Sequence, residues 1–546
     1  MHKKLKSRAR VGHIAQEMFG YEQLRPGQEA ALRSVLDGHD TLAVMPTGAG
    51  KSMIYQAAGR LLAGPTVIVS PLIALQRDQV EAIEEQNLGG AAQVNSTVPT
   101  TEVREAFANL KDGELEFLFL APEQFNREET LEQLKQAQPS LFVIDEAHCI
   151  SAWGHDFRPD YLRLGAVIEE LGHPRILALT ATAALPVRNE ILERLAMRDP
   201  RVIVQDFDRP NIWLGVETFQ DESTKKRALL ERVAEAEMPG IIYTGTRKHA
   251  EEVAAALQDL GVKATHYHAG MKSKEREQVQ EQFMQDEVGI IVATTAFGMG
   301  IDKVNVRFVF HYDISDSVDS YYQEIGRAGR DNEMAQALLF YCPKDLGLRQ
   351  FLAASGQVDA DQVELVAEMI QRHDGRVEPE ELRSELGLSQ TKITQILTRL
   401  EEVGVIEMLP NGEVLPGEQP PDLSEAAEEA VQMQESRRQF DRSRIEMMRG
   451  YAEVHGCRRE YLLNYFGEPF EGPCGFCDNC EAGIVVEESE DKLPFPLNSR
   501  VVHATWSEGV VLRYEGDKII VLFDEVGYKA LSLAIVMEKG LLKPAP

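Results

Sequence analysis

Long apolar runs are missing from this sequence: each hydrophobic stretch is short and broken by proline or charge, which excludes a bilayer-spanning helix. No apolar stretch of signal-peptide length follows the basic residues Met1 to Arg10 either, so a cytoplasmic location without a membrane partner is expected. Basic residues are in short supply, 57 Lys and Arg against 88 Asp and Glu, for a formal net charge of −31. That balance excludes a protein that coats nucleic acid through its overall field. A local basic groove remains open, because a strand feels charge only within about 8–10 Å at physiological salt. The acidic surface alone reads as a solubility feature, and no partner is drawn from it. Cysteine is scarce, six in all, yet Cys457, Cys474, Cys477 and Cys480 fall in one short stretch. Such clustering without a secretion signal points to a metal rather than to disulfides. Cys149 and Cys342 stand alone and read as core thiols.

What is present is ordinary in amount, 43% hydrophobic and 27% charged residues, and implies soluble globular domains. At roughly 150 residues per domain, 546 residues make three or four. Apolar runs at Thr41–Met45, Val67–Ser70, Phe117–Leu120, Leu141–Ile144 and Ile176–Leu179 alternate with helical patterns. Runs without polar alternation are strands buried on both faces, hence a parallel sheet covered by helices, and such sheets bind ligands at their carboxyl ends.

The residues after these runs fit that rule. Pro46-Thr47-Gly48-Ala49-Gly50-Lys51-Ser52 follows the first run and opens a helix. Its glycines let backbone N–H groups face phosphate oxygens, while the helix N-terminus adds partial positive charge. Lys51 is placed to reach the β- and γ-phosphates and the Ser52 hydroxyl to ligate Mg²⁺. Met45 stands where the strict phosphate-loop pattern has a glycine, a departure that matches the shortened loop of helicases. After the fourth run comes Asp145-Glu146-Ala147-His148. Asp145 is expected to hold Mg²⁺ through water, and Glu146 to orient and deprotonate the attacking water.

With these motifs on the page, the chain resembles the RecQ branch of superfamily-two helicases. Phe19-Gly20-Tyr21 with Arg25-Pro26-Gly27-Gln28 is similar to that family's adenine-recognition motif, which implies that Gln28 reads the base edge while Tyr21 and Arg25 pack around it. Leu24 and Ala49 replace a usual Phe and Gly without loss of a polar contact. Ser151 to Pro159 resembles the family's aromatic-rich loop, which couples single-stranded DNA to hydrolysis. Trp153 and Phe157 offer faces for base stacking, worth about 1–3 kcal/mol each, and Arg158 a phosphate contact. Thr180-Ala181-Thr182 resembles the motif that links ATP state to the nucleic-acid side.

A second series, with strands at Ile241–Thr244, Gly289–Ala293, Arg307–His311 and Ala337–Tyr341, contains no phosphate loop. Ala293 to Asp302 and Gln323 to Asp331 resemble the family's fifth and sixth motifs. The resemblance implies that Arg330 is an arginine finger worth about 10³–10⁵ in rate, with Arg327 beside it on the phosphates. One ATP held by both lobes would convert hydrolysis into stepwise movement.

Behind this motor the cysteine quartet suits tetrahedral zinc, and its order resembles the RecQ zinc subdomain; an iron–sulfur cluster is the alternative. The spacer before Cys457 is longer than in the family. Val363–Arg372, Pro379–Gly387 and Gln390–Gly404, then Val405–Leu409 and Glu413–Leu415, read as three helices and a hairpin, a winged-helix pattern. Its third helix offers mainly Lys392 and Arg399 among acids, so duplex binding and a docking role stand level. Pro410 to Glu435 reads as a linker plus a helix. The tail reads as five strands, Arg500–His503, Gly509–Tyr514, Lys518–Phe523, Gly527–Ser532 and Ala534–Glu538, and resembles the Tudor-like barrel that ends UvrD-type helicases.

The expected fold is α/β: two RecA-like parallel-sheet lobes (1–205 and 206–345), a winged-helix-like insert with linker (346–436), a helical zinc-binding subdomain (437–484) and a small β-barrel (495–546). The expected activity is ATP-dependent 3′–5′ DNA unwinding in repair and recombination, with ATP, Mg²⁺ and Zn²⁺ as cofactors. Expected partners are single-stranded and tailed duplex DNA, with a protein partner at the barrel, in a nucleoid-associated cytoplasmic protein. The alternatives are a DNA-stimulated translocase that remodels protein–DNA complexes, and a DNA-binding adaptor with a vestigial ATPase.

Overall fold

The computed structural model describes residues 23–545 except 152–156, 206, 299–300, 302, 355–359, 374, 410–411, 418–421, 469, 471, 485–492, 497–498 and 525. It divides into two compact units: Met1–Met45, Ala49–Gln205 and Ser355–Arg437 form one, and Pro46–Gly48, Asp206–Ala354 and Arg438–Pro546 the other.

The first unit is built on β1 (Thr41–Val44), β2 (Thr66–Val69), β3 (Ala91–Val94), β4 (Phe117–Leu120), β5 (Leu141–Ile144), β6 (Arg175–Thr180) and β7 (Arg201–Val204). These strands pair in the order β3-β4-β2-β5-β6-β1-β7, parallel throughout. Every residue of β1, β2, β4 and β5 is buried, as expected for a sheet covered on both faces. The helix Lys51–Leu61 packs Ile54, Tyr55 and Ala58 against Ile68, Phe117 and Val143 of the sheet. Burial of Ile54, Ile68, Phe117 and Val143 stabilises by about 1.5–3 kcal/mol each. Val44 lies opposite Thr180 and Ile144 opposite Ala178, so β1, β6 and β5 end side by side.

The insert belongs to this unit. Helices Ala360–Arg372, Pro379–Leu386 and Gln390–Glu402 and the hairpin of β14 (Ile406–Met408) and β15 (Val414–Pro416) are the predicted winged-helix elements. Val366, Ile370, Leu382, Ile393, Ile396, Leu397, Leu400 and Val414 form its own core, joined by Ala426, Ala427 and Ala430 from the start of the helix Leu423–Glu453. Pro379 stands in the first turn of its helix, and the Ser389 hydroxyl accepts from Lys392 N–H as the cap of the third.

In the second unit β8 (Ile212–Thr218), β9 (Gly240–Tyr243), β10 (Ala264–Tyr267), β11 (Ile290–Ala293), β12 (Phe308–His311) and β13 (Ala335–Tyr341) form another parallel sheet, in the order β10-β11-β9-β12-β13-β8. The tail contributes a five-stranded antiparallel sheet of β16 (Arg500–His503), β17 (Ser507–Glu515), β18 (Lys518–Phe523), β19 (Gly527–Ser532) and β20 (Leu542–Pro544), ordered β19-β18-β17-β16-β20. Here one expectation fails. Ala534–Glu538 is not the last strand but lies in the helix Leu533–Lys539, closed by Gly540 at φ +58°, and the fifth strand is Leu542–Pro544. Only one face of that helix is apolar inward: Val536 is buried while Ile535 and Met537 are 46% and 57% exposed, a helical rather than an alternating pattern.

Candidate functional site

Because β1, β6 and β5 end side by side, the turns that follow them start from one end of the sheet. Gly48 and Gly50 hold φ of +80° and +73°, the left-handed geometry that the turn needs, and the helix begins at Lys51. A side chain at Gly50 would meet Gln28: an added Cβ would lie 2.5 Å from Gln28 Nε2. Gln28 is the hub of this region. Its Nε2 donates to the carbonyls of Ala49 (2.8 Å) and Gly50 (3.3 Å), while its Oε1 accepts from Arg25 N–H (3.0 Å). Lys51 Nζ donates to Met45 O at 3.0 Å, which folds it back over the loop. Ser52 and Thr47 are half-buried at the helix start and loop. Arg25 is exposed, and Tyr21 lies outside the described residues.

Asp145 ends β5, with its N–H donating to Val69 O (2.9 Å) and its Oδ1 accepting from Glu146 N–H (3.0 Å). Burial pushes its carboxyl up to about 7, the neighbouring Glu146 adds to this, and Lys51 opposes it. Glu146 takes the left-handed conformation at φ +48°, uncommon for a non-glycine residue. His148, fully buried, lies 3.3 Å from Glu146 Oε2 and 2.9 Å from Thr180 Oγ1. Thr180 Oγ1 in turn donates to Thr182 O (2.9 Å), so the ends of β5 and β6 are tied together.

Of the aromatic-rich segment, Phe157 and Arg158 are half-buried. Arg158 N–H donates to Cys149 O (2.8 Å) and its Nη1 to Pro71 O (3.0 Å). Trp153 lies outside the described residues.

In the second unit the predicted arginines follow the helix Val318–Ile325. Arg327 is 4% exposed, and Arg330 Nη1 donates to Ile301 O (2.9 Å). Sequence reasoning missed the residues that shape their loop. Arg209 donates to the carbonyls of Gly326 (3.2 Å), Ala328 (2.9 Å) and Gly329 (3.0 Å), and Asn211 Nδ2 to those of Gly329 and Glu333 (both 2.8 Å). Their one signal was local: Asp208-Arg209-Pro210-Asn211 is a polar turn immediately before a strand.

Cys457, Cys474, Cys477 and Cys480 bring their sulfurs within 4.8 Å of one another, and Cys474 and Cys480 lie 3.8 Å apart. Tetrahedral zinc with Zn–S near 2.3 Å requires sulfurs about 3.8 Å apart, so the four thiols fit that ion. The site is braced from outside. Arg458 Nε donates to Asp478 Oδ1 (2.5 Å), Asp478 Oδ2 accepts from Val216 N–H of β8 (2.9 Å), and Leu214 bridges to Cys477. Arg459 reaches Asp208 Oδ1 (2.6 Å) and Ile212 O (2.8 Å). The C-terminal sheet closes over the helix Arg458–Tyr465: Arg513 Nη2 donates to Tyr461 Oη (2.6 Å), and Tyr528 stacks on Tyr465 at 5.3 Å between ring centres.

Two parallel-sheet lobes, one with a phosphate loop and an acidic pair and the other with an ordered arginine loop, define the class of the nucleic-acid-dependent motor ATPases. The sequence matches agree. Residues 25–191 match the DEAD/DEAH box helicase family, 224–332 the helicase conserved C-terminal domain, and 422–481 the RecQ zinc-binding family. The chain is 34% identical over 491 residues to a probable ATP-dependent DNA helicase RecS of Bacillus subtilis, covering 88% of this chain and 95% of that one. It is 36% identical over 469 residues to the ATP-dependent DNA helicase RecQ of Pasteurella multocida, covering 86% of this chain and 61% of that one. Among solved structures, the helicase Lhr of Mycobacterium smegmatis bound to ssDNA and AMP-PNP is similar in fold, with a TM-score of 0.50 at 19% identity, covering 77% of this chain and 61% of that one. The chain therefore belongs to the RecQ family of ATP-dependent DNA helicases. ATP and Mg²⁺ are its cofactors, and zinc is the ion of the cysteine quartet. None of the described helices is long and apolar enough to cross a membrane.

Proposed function

We propose that this helicase moves 3′ to 5′ on single-stranded DNA and unwinds tailed duplexes during repair and recombination. The observation that carries the reading is the buried acid Asp145 held beside Glu146 and within the field of Lys51, at the strand ends where a nucleotide's phosphates meet a helix N-terminus. In this reading Thr47, Gly48, Ala49, Gly50 and Lys51 bind the phosphates, Ser52 and Asp145 hold Mg²⁺, and Glu146 orients and deprotonates the water. Gln28, with Tyr21 and Arg25, reads the adenine, and its bonds to Ala49 and Gly50 tie base recognition to the phosphate loop. Arg330 and Arg327 counter the charge that develops on the γ-phosphoryl, with Arg209 and Asn211 setting their loop. Trp153, Phe157 and Arg158 contact the strand.

The deciding experiment compares wild type with Lys51→Ala for ATP turnover with and without single-stranded DNA, and for displacement of a 3′-tailed duplex. DNA-stimulated turnover with displacement by wild type, both lost in Lys51→Ala, is expected. Turnover without displacement identifies the translocase reading. The translocase has one observation in its favour: Arg399, one of the few basic residues on the insert's third helix, is 9% exposed and engaged with Glu402 at 2.5 Å. No turnover by wild type leaves the adaptor.

A further inference from the structure

The insert touches the first lobe at places that flank one segment. Ser151, which opens the aromatic-rich segment, is fully buried and donates through Oγ to Glu190 Oε2 at 2.6 Å. Glu190 Oε1 accepts from Arg194 Nε at 2.9 Å, one turn along the helix Leu185–Arg194. Arg194 Nη2 then reaches Glu402 Oε1 at 2.9 Å, at the end of the insert's third helix, and Glu402 Oε2 accepts from Arg399 at 2.5 Å. Four charged side chains thus run in unbroken contact from the insert to Ser151, each only 10–23% exposed. Beyond the other end of the segment, Arg163 is paired with Asp160 at 3.8 Å and its side chain is 8% exposed. It packs under the insert's hairpin turn: a Cβ added at Gly412, which holds φ +89°, would come within 2.9 Å of Arg163 Nη1.

We propose that the insert is an internal governor of the DNA-sensing segment. Glu190, Arg194 and Glu402 act as positioning residues through which it sets how strongly single-stranded DNA stimulates ATP hydrolysis. This rests on the reading above, that Phe157 and Arg158 contact DNA. The chemistry favours a docked regulator over a duplex reader. A helix that reads DNA presents cations outward, whereas this one ends in the acids Glu401 and Glu402 and turns Arg399 onto the latter. Partly buried charges in series are sensitive to the removal of any one member, because the remaining charge is left uncompensated.

The test uses the full chain and reads ATP turnover against the concentration of single-stranded oligonucleotide. Glu402→Gln is expected to change the half-stimulating DNA concentration or the maximal stimulation by about 3- to 10-fold, the range of coupling energies between packed sites. Its basal turnover and KM for ATP stay at wild-type values, and Glu402→Asp keeps the wild-type curve. Arg376→Gln cuts the exposed insert-to-lobe pair with Glu128 (3.5 Å), which is off this path, and is expected to change nothing. A Glu402→Gln curve superimposable on wild type, while Phe157→Ala loses stimulation, overturns the proposal and leaves the DNA reading intact. An equal shift in Arg376→Gln overturns it as well. Full stimulation in Phe157→Ala overturns the DNA reading first, and the governor with it.

Discussion

Lys225 offers a sharp test of how the second lobe is held. It has no solvent exposure, and its ammonium lies 3.3 Å from Asp313 Oδ1, 2.9 Å from Asp345 Oδ2 and 4.1 Å from the centre of the Tyr312 ring. Burial alone would push the Asp313 carboxyl up, but His249, Lys225 and the Gly245 N–H outweigh it and hold it at about 2. Against an unfolded value near 3.9, that depression is worth about 2–3 kcal/mol above pH 4, lost as the pH falls toward 2. For Lys225, burial is outweighed by Asp313 and Asp345 and its pKa is raised, so its share is present below about pH 10 and lost above its folded pKa. Lys225→Met keeps the volume but takes the ammonium from Asp345 and leaves Asp313 with His249 and the Gly245 N–H alone, a change that costs about 3–5 kcal/mol in buried pairs. The midpoint of the second lobe's transition in scanning calorimetry should fall by about 6–15 °C at pH 7. The gap should narrow as the pH falls from 4 toward 2, where Asp313 takes its proton. A midpoint within 1 °C of wild type at pH 7 would mean that Lys225 does not hold the lobe together.

Further expectations concern the nucleotide, the metal and the braces. Glu146→Gln should lower kcat by about 10²–10⁴ with little change in nucleotide affinity, measured by steady-state turnover and equilibrium binding of a non-hydrolysable analogue; equal loss of binding would assign it a structural role. Arg209→Ala removes three hydrogen bonds to the 326–329 loop and should lower kcat at least tenfold with ATP KM nearly unchanged; an unchanged kcat would show that the loop keeps its shape alone. Purified protein should hold about one zinc per chain by elemental analysis, and a strong chelator should make the four cysteines reactive in a thiol titration; visible absorbance from a cluster would contradict the assignment. Tyr465→Phe takes a hydrogen bond from Asp319, buried against Arg444, and should destabilise by about 1–3 kcal/mol in denaturant melts; no change would mean that water replaces the phenol.

Much of this architecture was legible in the sequence, and the omissions have a common cause. Strands β1, β2, β4, β5 and β6 and then β9, β11, β12 and β13 were read from continuous apolar runs, because central strands of covered parallel sheets are buried on both faces. The strands missed, β3, β7, β8 and β10, are the edges of the two sheets. An edge has one neighbour and partial exposure, and β7 (Arg201–Val204) has no fully buried residue. The helix Leu533–Lys539 was misread because a short run of Ala, Ile and Val satisfies strand propensity, and only the tertiary burial of Val536 reveals its period. The cysteines were legible since a tetrahedral metal needs particular residues at fixed spacing, and residues 46–52 and Asp145-Glu146 were legible as turns at strand ends. Arg209 and Asn211 were not: they act on backbone carbonyls more than a hundred positions away, a relation that only folding creates. The acids that end the insert's third helix were visible, but their partner Arg194 was not.

The proposed function requires Arg330 in the same hydrolysis event as Lys51 and Glu146. It is tested most directly by single-turnover hydrolysis in Arg330→Ala at saturating ATP and single-stranded DNA. Nucleotide binding should be retained and the chemical step slowed by about 10³-fold or more. A chemical step at the wild-type rate in that variant would contradict that requirement.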